Sequence, residues 1–219
     1  DADVDAAVQG ALISKYRNSG QTCVCTNRIF VQDTIHDVFV EKLVAATAEL
    51  KMGNGLDDGV QQGPLVNEKA VEDVDRLVRL STEAGAQVAV GGMRSDLGPC
   101  YYQPTVLTGI TSDMAVFRNE IFGPVAPVMS FADEAEAIAL ANDTEFGLAS
   151  YFYTRDIGRV WRVSEALDYG MVGVNEGIIS NEMAPFGGVK ASGSGREGSK
   201  YGIDDYLEMK YILMGGLDR

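Results

Sequence analysis

The segment that decides the fold is a strand, Ser150-Tyr-Phe-Tyr-Thr154, followed by a helix, Asp156-Ile-Gly-Arg-Val-Trp-Arg-Val-Ser-Glu-Ala-Leu167, and a second strand, Met171-Val-Gly-Val-Asn175. Two strands joined by a helix are usually parallel, because the crossover returns the chain to the same end of the sheet. The same alternation predicts further strands at 28–32, 87–90, 102–107 and 125–131, and helices at 33–52, 67–84 and 133–142. The sequence therefore predicts an α/β fold with a largely parallel sheet.

The composition excludes several classes of protein. Lys and Arg number 18 against 32 Asp and Glu, so the net charge is −14, and there is one histidine. This charge repels phosphate backbones, so we expect no nucleic-acid partner. No apolar run approaches the ~20 residues of a membrane span, and the three cysteines do not suit a disulfide framework. We expect a cytoplasmic protein without a multi-histidine metal site.

Two features concern the ends of the chain. A helical pattern begins at once, with Val4, Val8 and Leu12 on one face, which suggests a piece cut from a longer polypeptide. Residues 206–214, Tyr-Leu-Glu-Met-Lys-Tyr-Ile-Leu-Met, predict an apolar strand that needs a partner. Residues 176–202 are rich in Gly and Ser, and they predict a long loop of the kind that is usually functional.

Cys23 lies in the stretch Gly20-Gln-Thr-Cys-Val-Cys25. A zinc site usually has four ligands with a recognisable spacing, and only Cys100 and His36 remain to complete a set, so a metal site is not expected. Two interpretations of Cys23 stay open. Free cysteine is often a small buried residue. The polar neighbours and the sharp turn at Gly20 instead favour a reactive thiol, more so if Cys23 opens a short helical turn.

Glu120 lies in Asn119-Glu-Ile-Phe-Gly-Pro124. It is either a surface acid before a turn or, because Phe122 places apolar bulk there, part of a contact with a flat ligand. The run Gly193-Ser-Gly-Arg-Glu-Gly198 matches G-x-G-x-x-G by letter. That motif requires a preceding strand and a following helix, whereas loop residues precede this run. We interpret it as a flexible loop.

Four motifs together resemble the catalytic domain of aldehyde dehydrogenases: Gly20-Gln-Thr-Cys23, Asn119-Glu-Ile-Phe-Gly-Pro124, Pro185-Phe-Gly-Gly-Val-Lys190 and Ser192-Gly-Ser-Gly-Arg-Glu197. Within that family, the chain resembles succinate-semialdehyde dehydrogenases at Lys15-Tyr-Arg-Asn18, Cys23-Val-Cys25 and Gly177-Ile-Ile-Ser-Asn-Glu182. The resemblance covers essentially the whole chain in order. It implies a three-layer α/β/α catalytic domain over residues 1–203. It also implies an oligomerisation strand or tail over residues 204–219, which would join a homodimer or homotetramer.

The resemblance implies roles in the chemistry. Cys23 would attack the aldehyde to give a thiohemiacetal, hydride would leave to NAD or NADP, and the resulting thioester would be hydrolysed. The backbone N–H of Cys23 would help to hold the developing oxyanion. Glu120 would bind ribose hydroxyls of the cofactor, and Phe122 would pack against the cofactor. Gln62 and Leu148 match weaker cofactor-contact positions.

The resemblance also implies a small carboxylated aldehyde, succinate semialdehyde, as the substrate. Arg17 and Ser180 would bind its carboxylate, and Phe186 would line the pocket. An acidic protein must neutralise an anionic substrate locally, and a guanidinium pairs well with a carboxylate, although Arg17 is equally typical of a cation at a helix end. Glutarate semialdehyde or another ω-carboxylated aldehyde stays open, because one methylene discriminates only about 10–200-fold. Cys25 would pair reversibly with Cys23 as a redox brake, since a disulfide across one residue is strained and easily reduced.

The sequence departs from the family pattern before the nucleophile. In the family, a dinucleotide-binding domain, a general-base glutamate and an oxyanion-hole asparagine precede the cysteine, and a second arginine binds the substrate. Only 22 residues precede Cys23, and they contain none of these motifs. We therefore expect no dehydrogenase turnover from the 219 residues alone. The alternatives are a non-catalytic assembly module, in which Cys23 is a relic, and a thiol hydrolase, for which His36 in a predicted helix is a poor partner.

Overall fold

The computed structural model describes residues 1–218. The six α-helices of this part are α1 (Val4–Tyr16), α2 (His36–Ala48), α3 (Glu68–Glu83), α4 (Ala115–Arg118), α5 (Glu134–Asn142) and α6 (Ile157–Ala166). The strands are β1 (Ile29–Gln32), β2 (Gln87–Val90), β3 (Thr105–Thr108), β4 (Val125–Phe131), β5 (Phe146–Gly147), β6 (Ala149–Phe152), β7 (Met171–Val174) and β8 (Val189–Lys190). Short 3-10 turns occupy Arg17–Gly20, Asp33–Ile35 and Asp204–Tyr206.

The main sheet has four strands in the order β1-β4-β3-β2. The pairs β1–β4 and β3–β4 are parallel, whereas β2 runs antiparallel to β3. β6 pairs in parallel with β7, from Ala149 opposite Met171 to Phe152 opposite Val174, and α6 connects them. The strand-helix-strand prediction at 150–175 is therefore confirmed, and so is the largely parallel character of the main sheet.

Apolar side chains cover both faces of the main sheet. On one face, buried residues of β1, β3 and β4 pack against α1 and α2, with Val31 and Val106 on the strands and Leu43 on α2. On the other face, residues such as Leu107 and Val125 pack against α3 and α4. Neighbouring residues of one strand serve opposite faces because side chains alternate along a strand. This arrangement is the α/β/α layering that the resemblance implies.

Helix α3 agrees with its sequence signals, whereas α2 does not. Asn67 caps α3, its side chain accepting a hydrogen bond from Ala70 N, and Gly85 follows the helix with φ +110°. At α2, the spacing of Thr34 and Asp37 resembles a capping box, but this interpretation is wrong. Thr34 lies in a 3-10 turn, Asp37 lies inside α2, and Ile35 caps the helix without a side-chain hydrogen bond.

The ends of two predicted elements also differ. Helix α2 ends at Ala48, short of the predicted residue 52, and an isolated bridge then pairs Met52 with Gln62. Strand β3 starts at Thr105, because the preceding Tyr102 instead bridges to Arg94. Both differences arise from bridges to residues outside the predicted element, which the pattern of the element itself does not contain.

The C-terminal strand expected in residues 206–214 is not formed in the single chain. Tyr206 ends the last 3-10 turn, and residues 207–214 follow it without pairing to any strand of the described part. Their large apolar side chains are exposed. A strand exists only through a hydrogen-bonded neighbour, so the apolar pattern alone does not produce one here. Residues 176–202 are largely irregular, as predicted, except for the two-residue β8, which pairs with β5.

Candidate active site

A tight turn places Cys23 at the surface between α1 and β1. Three successive residues after the end of α1 have left-handed backbone angles: Asn18 (φ 52°), Ser19 (φ 54°) and Gly20 (φ 77°). The chain reverses there and enters a second turn, in which Cys25 N–H donates to Thr22 O at 2.9 Å. Cys23 is exposed. It sits in a single turn rather than at the start of a helix, so the thiol gains no helix dipole.

Hydrogen bonds from a distant loop hold this turn from behind. Ser19 Oγ donates to Gly63 O at 3.0 Å, and Gln21 Oε1 accepts from Val66 N at 2.8 Å. Gln62 Nε2 donates to Tyr16 O at 2.8 Å. Gln62 is buried, so the structure places this predicted cofactor contact beneath the turn. The loop at 61–66 therefore supports the shape on which the exposure of Cys23 depends.

The segment that carries Glu120 lies directly against the cysteine turn. A Cβ atom at Gly20 would lie 2.1 Å from Gly123 O, so the two backbones touch where only glycine fits. Glu120 is exposed, and Phe122 has φ 48° and a ring that is 43% exposed. Phe122 therefore combines a strained backbone with an exposed side chain, two residues after the exposed Glu120. Both groups are therefore available to a ligand.

One cavity of about 630 Å³ brings together many of the predicted site residues. Its wall contains Cys23, Cys25, Glu120, Phe122 and Leu148. Four other predicted residues lie outside this wall: Gln62, Arg17, Ser180 and Phe186. The cavity thus collects the predicted nucleophile and three of the four predicted cofactor contacts, but none of the predicted substrate contacts.

The predicted substrate contacts are dispersed in this structure. Ser180 lines a second cavity of about 420 Å³, and the backbone of Phe186 pairs with that of Glu197. Arg17 is half-buried, and within residues 1–218 its guanidinium forms no ion pair. It lies close to the phenol of Tyr151, whose pKa burial raises to about 12 while the positive charge of Arg17 opposes the rise. Tyr151 also donates to Val24 O at 2.9 Å, which ties β6 to the cysteine turn.

Lys15 is a charged group of this site that sequence reasoning missed. Its side chain ends in the wall of the larger cavity, yet the residue is only 1% exposed. Burial lowers its pKa from 10.5 to about 8, while the nearby Cys25 and Glu120 oppose that shift. No hydrogen bond or ion pair of its ammonium is found within the described part of the chain. It lies in the last turn of α1 between Ser14 and Tyr16, which are also buried, and no local sequence pattern marks it as a site residue.

The described part of the chain offers neither a metal site nor a membrane span. Among the described residues, no group of three or more His, Cys, Asp or Glu side chains is placed to hold a metal ion. No helix of residues 1–218 is both long and apolar enough to cross a membrane. The three cysteines Cys23, Cys25 and Cys100 are free thiols.

Comparison with known proteins gives a consistent result. The profile of the aldehyde dehydrogenase family matches residues 1–212. The chain belongs to this family. A crystal structure of succinate-semialdehyde dehydrogenase from Burkholderia pseudomallei matches with a TM-score of 0.95 and 60% identity, over 97% of this chain and 44% of that chain. The predicted aldehyde dehydrogenase fold is therefore confirmed.

Curated relatives carry several substrate names. Glutarate-semialdehyde dehydrogenase of Pseudomonas aeruginosa is 60% identical over 99% of this chain and 45% of its own length. 3-Sulfolactaldehyde dehydrogenase of Pseudomonas putida is 60% identical over 100% of this chain and 45% of its own length. A succinate-semialdehyde dehydrogenase of Escherichia coli, named as an NADP(+) enzyme, is 59% identical over 98% of this chain and 45% of its own length. The chain thus spans less than half the length of these relatives.

Proposed function

We propose that this chain supplies the nucleophile and part of the cofactor and substrate sites of an NAD(P)-dependent aldehyde dehydrogenase. The observation that carries the proposal is the exposed Cys23 in a strained turn, on the same cavity wall as Glu120 and Phe122. An exposed thiol beside a carboxylate and an apolar ring suits a reaction between a bound aldehyde and a bound nicotinamide. Residues 1–203 would form the catalytic domain, and residues 204–219 the assembly tail.

The chemistry of Cys23 follows from the nucleophilicity of a thiolate. Its sulfur forms a bond to the aldehyde carbon, and the carbonyl oxygen becomes the oxyanion of a thiohemiacetal, which the backbone N–H of Cys23 would help to hold. Loss of hydride from that carbon leaves a thioester. Water then adds, the carbon–sulfur bond breaks, the carboxylic acid leaves and the thiol is regenerated. The proton acceptor for this last step is proposed to lie outside the 219 residues.

Three residues of the cavity fit a nicotinamide cofactor. The exposed carboxylate of Glu120 can accept hydrogen bonds from ribose hydroxyls, while Phe122 and Leu148 offer apolar surface to a flat ring. The cofactor, NAD or NADP, would supply the two-electron acceptor for the hydride. Gln62, buried behind the turn, would act by supporting the turn.

The substrate we propose is succinate semialdehyde, with glutarate semialdehyde as the alternative. The names of the relatives include both, and 3-sulfolactaldehyde shares with them a small aldehyde that carries an anionic group. Arg17 is the cation suited to that group, because it lies beside the cysteine turn without an ion pair in residues 1–218. Ser180 and Phe186 would complete the pocket.

A labelling experiment on the 219-residue chain tests the nucleophile. Iodoacetamide should alkylate Cys23 much faster than the half-buried Cys25 and Cys100, as followed by mass spectrometry of the peptides. The Cys23→Ser variant, in which only the slow sites remain, is the control. Equal rates at Cys23 and Cys100 would favour the alternative of a non-catalytic assembly module.

A kinetic experiment on a protein that carries both this chain and the preceding family domain tests the reaction. It should oxidise succinate and glutarate semialdehyde with NAD or NADP, and the ratio of the two kcat/KM values decides between the substrates. Arg17→Gln should raise the KM for either semialdehyde at least tenfold, since a charge-assisted pair is lost. The KM for butanal, which has no carboxylate, should stay unchanged. An equal rise for butanal would exclude Arg17 as the carboxylate partner.

The tail from Tyr206 to Met214 would join subunits into a dimer or tetramer. Its exposed apolar side chains would gain a strand partner at a subunit interface. Light scattering of the longer protein, with and without residues 204–219, tests this assignment. A molecular mass that is unchanged by the deletion would exclude it.

A further inference from the structure

The side chain of Asn27 makes two hydrogen bonds on either side of Glu120. Asn27 Nδ2 donates to Asn119 O at 2.9 Å, and Asn27 Oδ1 accepts from Ile121 N–H at 2.9 Å. One amide group thus holds the peptide groups that precede and follow the carboxylate-bearing residue. Asn27 lies four residues after Cys23, in the short segment between the cysteine turn and β1.

Glu120 has few other constraints. Within the described residues, its own carboxylate makes no hydrogen bond or ion pair, and the residue is exposed. The preceding Asn119 is tied to α4 through its side chain, which donates to Ala115 O at 2.9 Å. On the other side, the backbone contact of Gly20 with Gly123 limits how closely the two segments approach. The Asn27 bonds are therefore the direct polar link between the cysteine segment and Glu120.

This pair of hydrogen bonds requires an amide group at position 27. An amide offers a donor and an acceptor at one end of a short side chain. An aspartate at this position would still accept from Ile121 N–H, but it would place a negative oxygen against the carbonyl of Asn119. Alanine would remove both bonds and leave the partly buried Ile121 N–H without its partner.

We propose that Asn27 is a positioning residue that fixes Glu120 relative to the Cys23 thiol, and thereby the cofactor relative to the nucleophile. This inference rests on the proposed function, in which Glu120 binds the cofactor. Cys23 and Glu120 lie on different segments of the chain, so their separation depends on how these segments are joined. Asn27 joins them at the residue that matters for the cofactor.

The chain offers a matched control elsewhere. Asn142, at the end of α5, makes the same pair of bonds: Nδ2 donates to Ala166 O at 2.8 Å, and Oδ1 accepts from Asp168 N–H at 2.9 Å. It lies outside the wall of the larger cavity. Asn142→Ala therefore removes the same two kinds of hydrogen bond and should lower the free energy of unfolding by a similar amount, but it leaves the proposed cofactor site unchanged.

The test uses Asn27→Asp, Asn27→Ala and Asn142→Ala in a protein that carries this chain and the preceding family domain. Since each lost hydrogen bond weakens binding about fivefold, Asn27→Asp, which loses one bond, should raise the KM for NAD(P) about fivefold, and Asn27→Ala, which loses both, about twenty-fivefold. Iodoacetamide labelling of Cys23 without cofactor should stay unchanged in both. Asn142→Ala should lower the melting temperature as much as Asn27→Ala does, while its KM for NAD(P) stays at the wild-type value.

Two results would overturn the proposal. One is an Asn27→Ala variant whose KM for NAD(P) rises no more than that of Asn142→Ala. The other is a loss of Cys23 labelling that parallels the loss of activity, because this would mean general disruption of the turn. If the wild-type protein shows no NAD(P)-dependent turnover, the proposed function fails. Amide hydrogen exchange at Ile121 then decides about the Asn27 link: faster exchange in Asn27→Ala supports it, and unchanged exchange overturns it.

Discussion

Replacing Lys15 by methionine should stabilise the protein at neutral pH. Lys15 is only 1% exposed, its ammonium makes no hydrogen bond or ion pair in the described residues, and burial lowers its pKa from 10.5 to about 8. A lowered lysine pKa means that the folded protein holds the charged form less readily than the unfolded chain does. Methionine has a similar length and keeps the apolar contacts of the lysine stem, but it carries no charge.

The magnitude and its pH dependence follow from this pKa. A tenfold change in proton affinity corresponds to about 1.36 kcal/mol, so the charged form of Lys15 costs the fold about 3 kcal/mol at pH 7. Between pH 8 and pH 10.5 the folded state loses its proton while the unfolded chain keeps it. The free energy of unfolding of the wild type therefore rises with pH across this window. At pH 9.5 the remaining cost is about 1 kcal/mol.

Urea denaturation followed by circular dichroism measures both quantities. Lys15→Met should exceed the wild type in free energy of unfolding by about 3 kcal/mol at pH 7 and by about 1 kcal/mol at pH 9.5. Lys42→Met is the control, because Lys42 pairs with Asp5 at the surface. It should change the free energy by less than about 0.5 kcal/mol at both pH values. A Lys15→Met variant without added stability at pH 7, or with a gain that does not fall with pH, would refute the reasoning.

Three other substitutions test the surroundings of the cysteine turn. Gly20→Ala should lower the free energy of unfolding by about 3 kcal/mol, because its Cβ would clash with a backbone oxygen. The control Gly59→Ala, at φ +75° in open space, should lower it by about 1 kcal/mol. Equal losses of stability in urea denaturation would contradict the proposed clash. Arg28→Met removes hydrogen bonds of 2.9–3.2 Å to backbone carbonyls at the end of α5, so it should also lower the free energy of unfolding by about 3 kcal/mol. An unchanged urea midpoint would show that these hydrogen bonds do not stabilise the fold. If Cys25 pairs with Cys23, peroxide should remove two hydrogens from the wild type, whereas Cys23 of Cys25→Ser should gain oxygen. Oxygen uptake at Cys23 in both proteins, by mass spectrometry, would exclude the pairing.

Elements with local signals were predictable from the sequence. Helix α3 carries its own cap at Asn67 and its own stop at Gly85, and both signals concern residues within one turn of the helix ends. The start of α2 was not predictable in the same way, because Thr34, which resembles a cap in the sequence, lies in a 3-10 turn instead. The apolar tail shows a different limit, since an extended segment becomes a strand only when another strand pairs with it.

The residues of the candidate site show the same difference between local and long-range information. Cys23 and Glu120 were predicted from short motifs, in which the chemistry of the residue and its neighbours is visible together. Asn27 and Lys15 were missed because their importance arises from contacts across long sequence distances. The amide of Asn27 meets residues more than 90 positions later, and Lys15 meets Glu120 through the fold. No pattern within a window of a dozen residues contains that information.

The three left-handed residues that precede Cys23 limit where this thiol geometry can exist. A serine in that conformation costs roughly 1–3 kcal/mol, and an isolated peptide has nothing to repay it. In the folded chain Ser19 is buried, and the loop at 61–66 and the segment at 119–124 enclose the turn. A peptide copied from residues 17–25, or a graft of it onto another scaffold, would therefore relax and lose the orientation of its cysteine. To transplant this nucleophile into a designed protein, an engineer would have to carry over both enclosing segments with it.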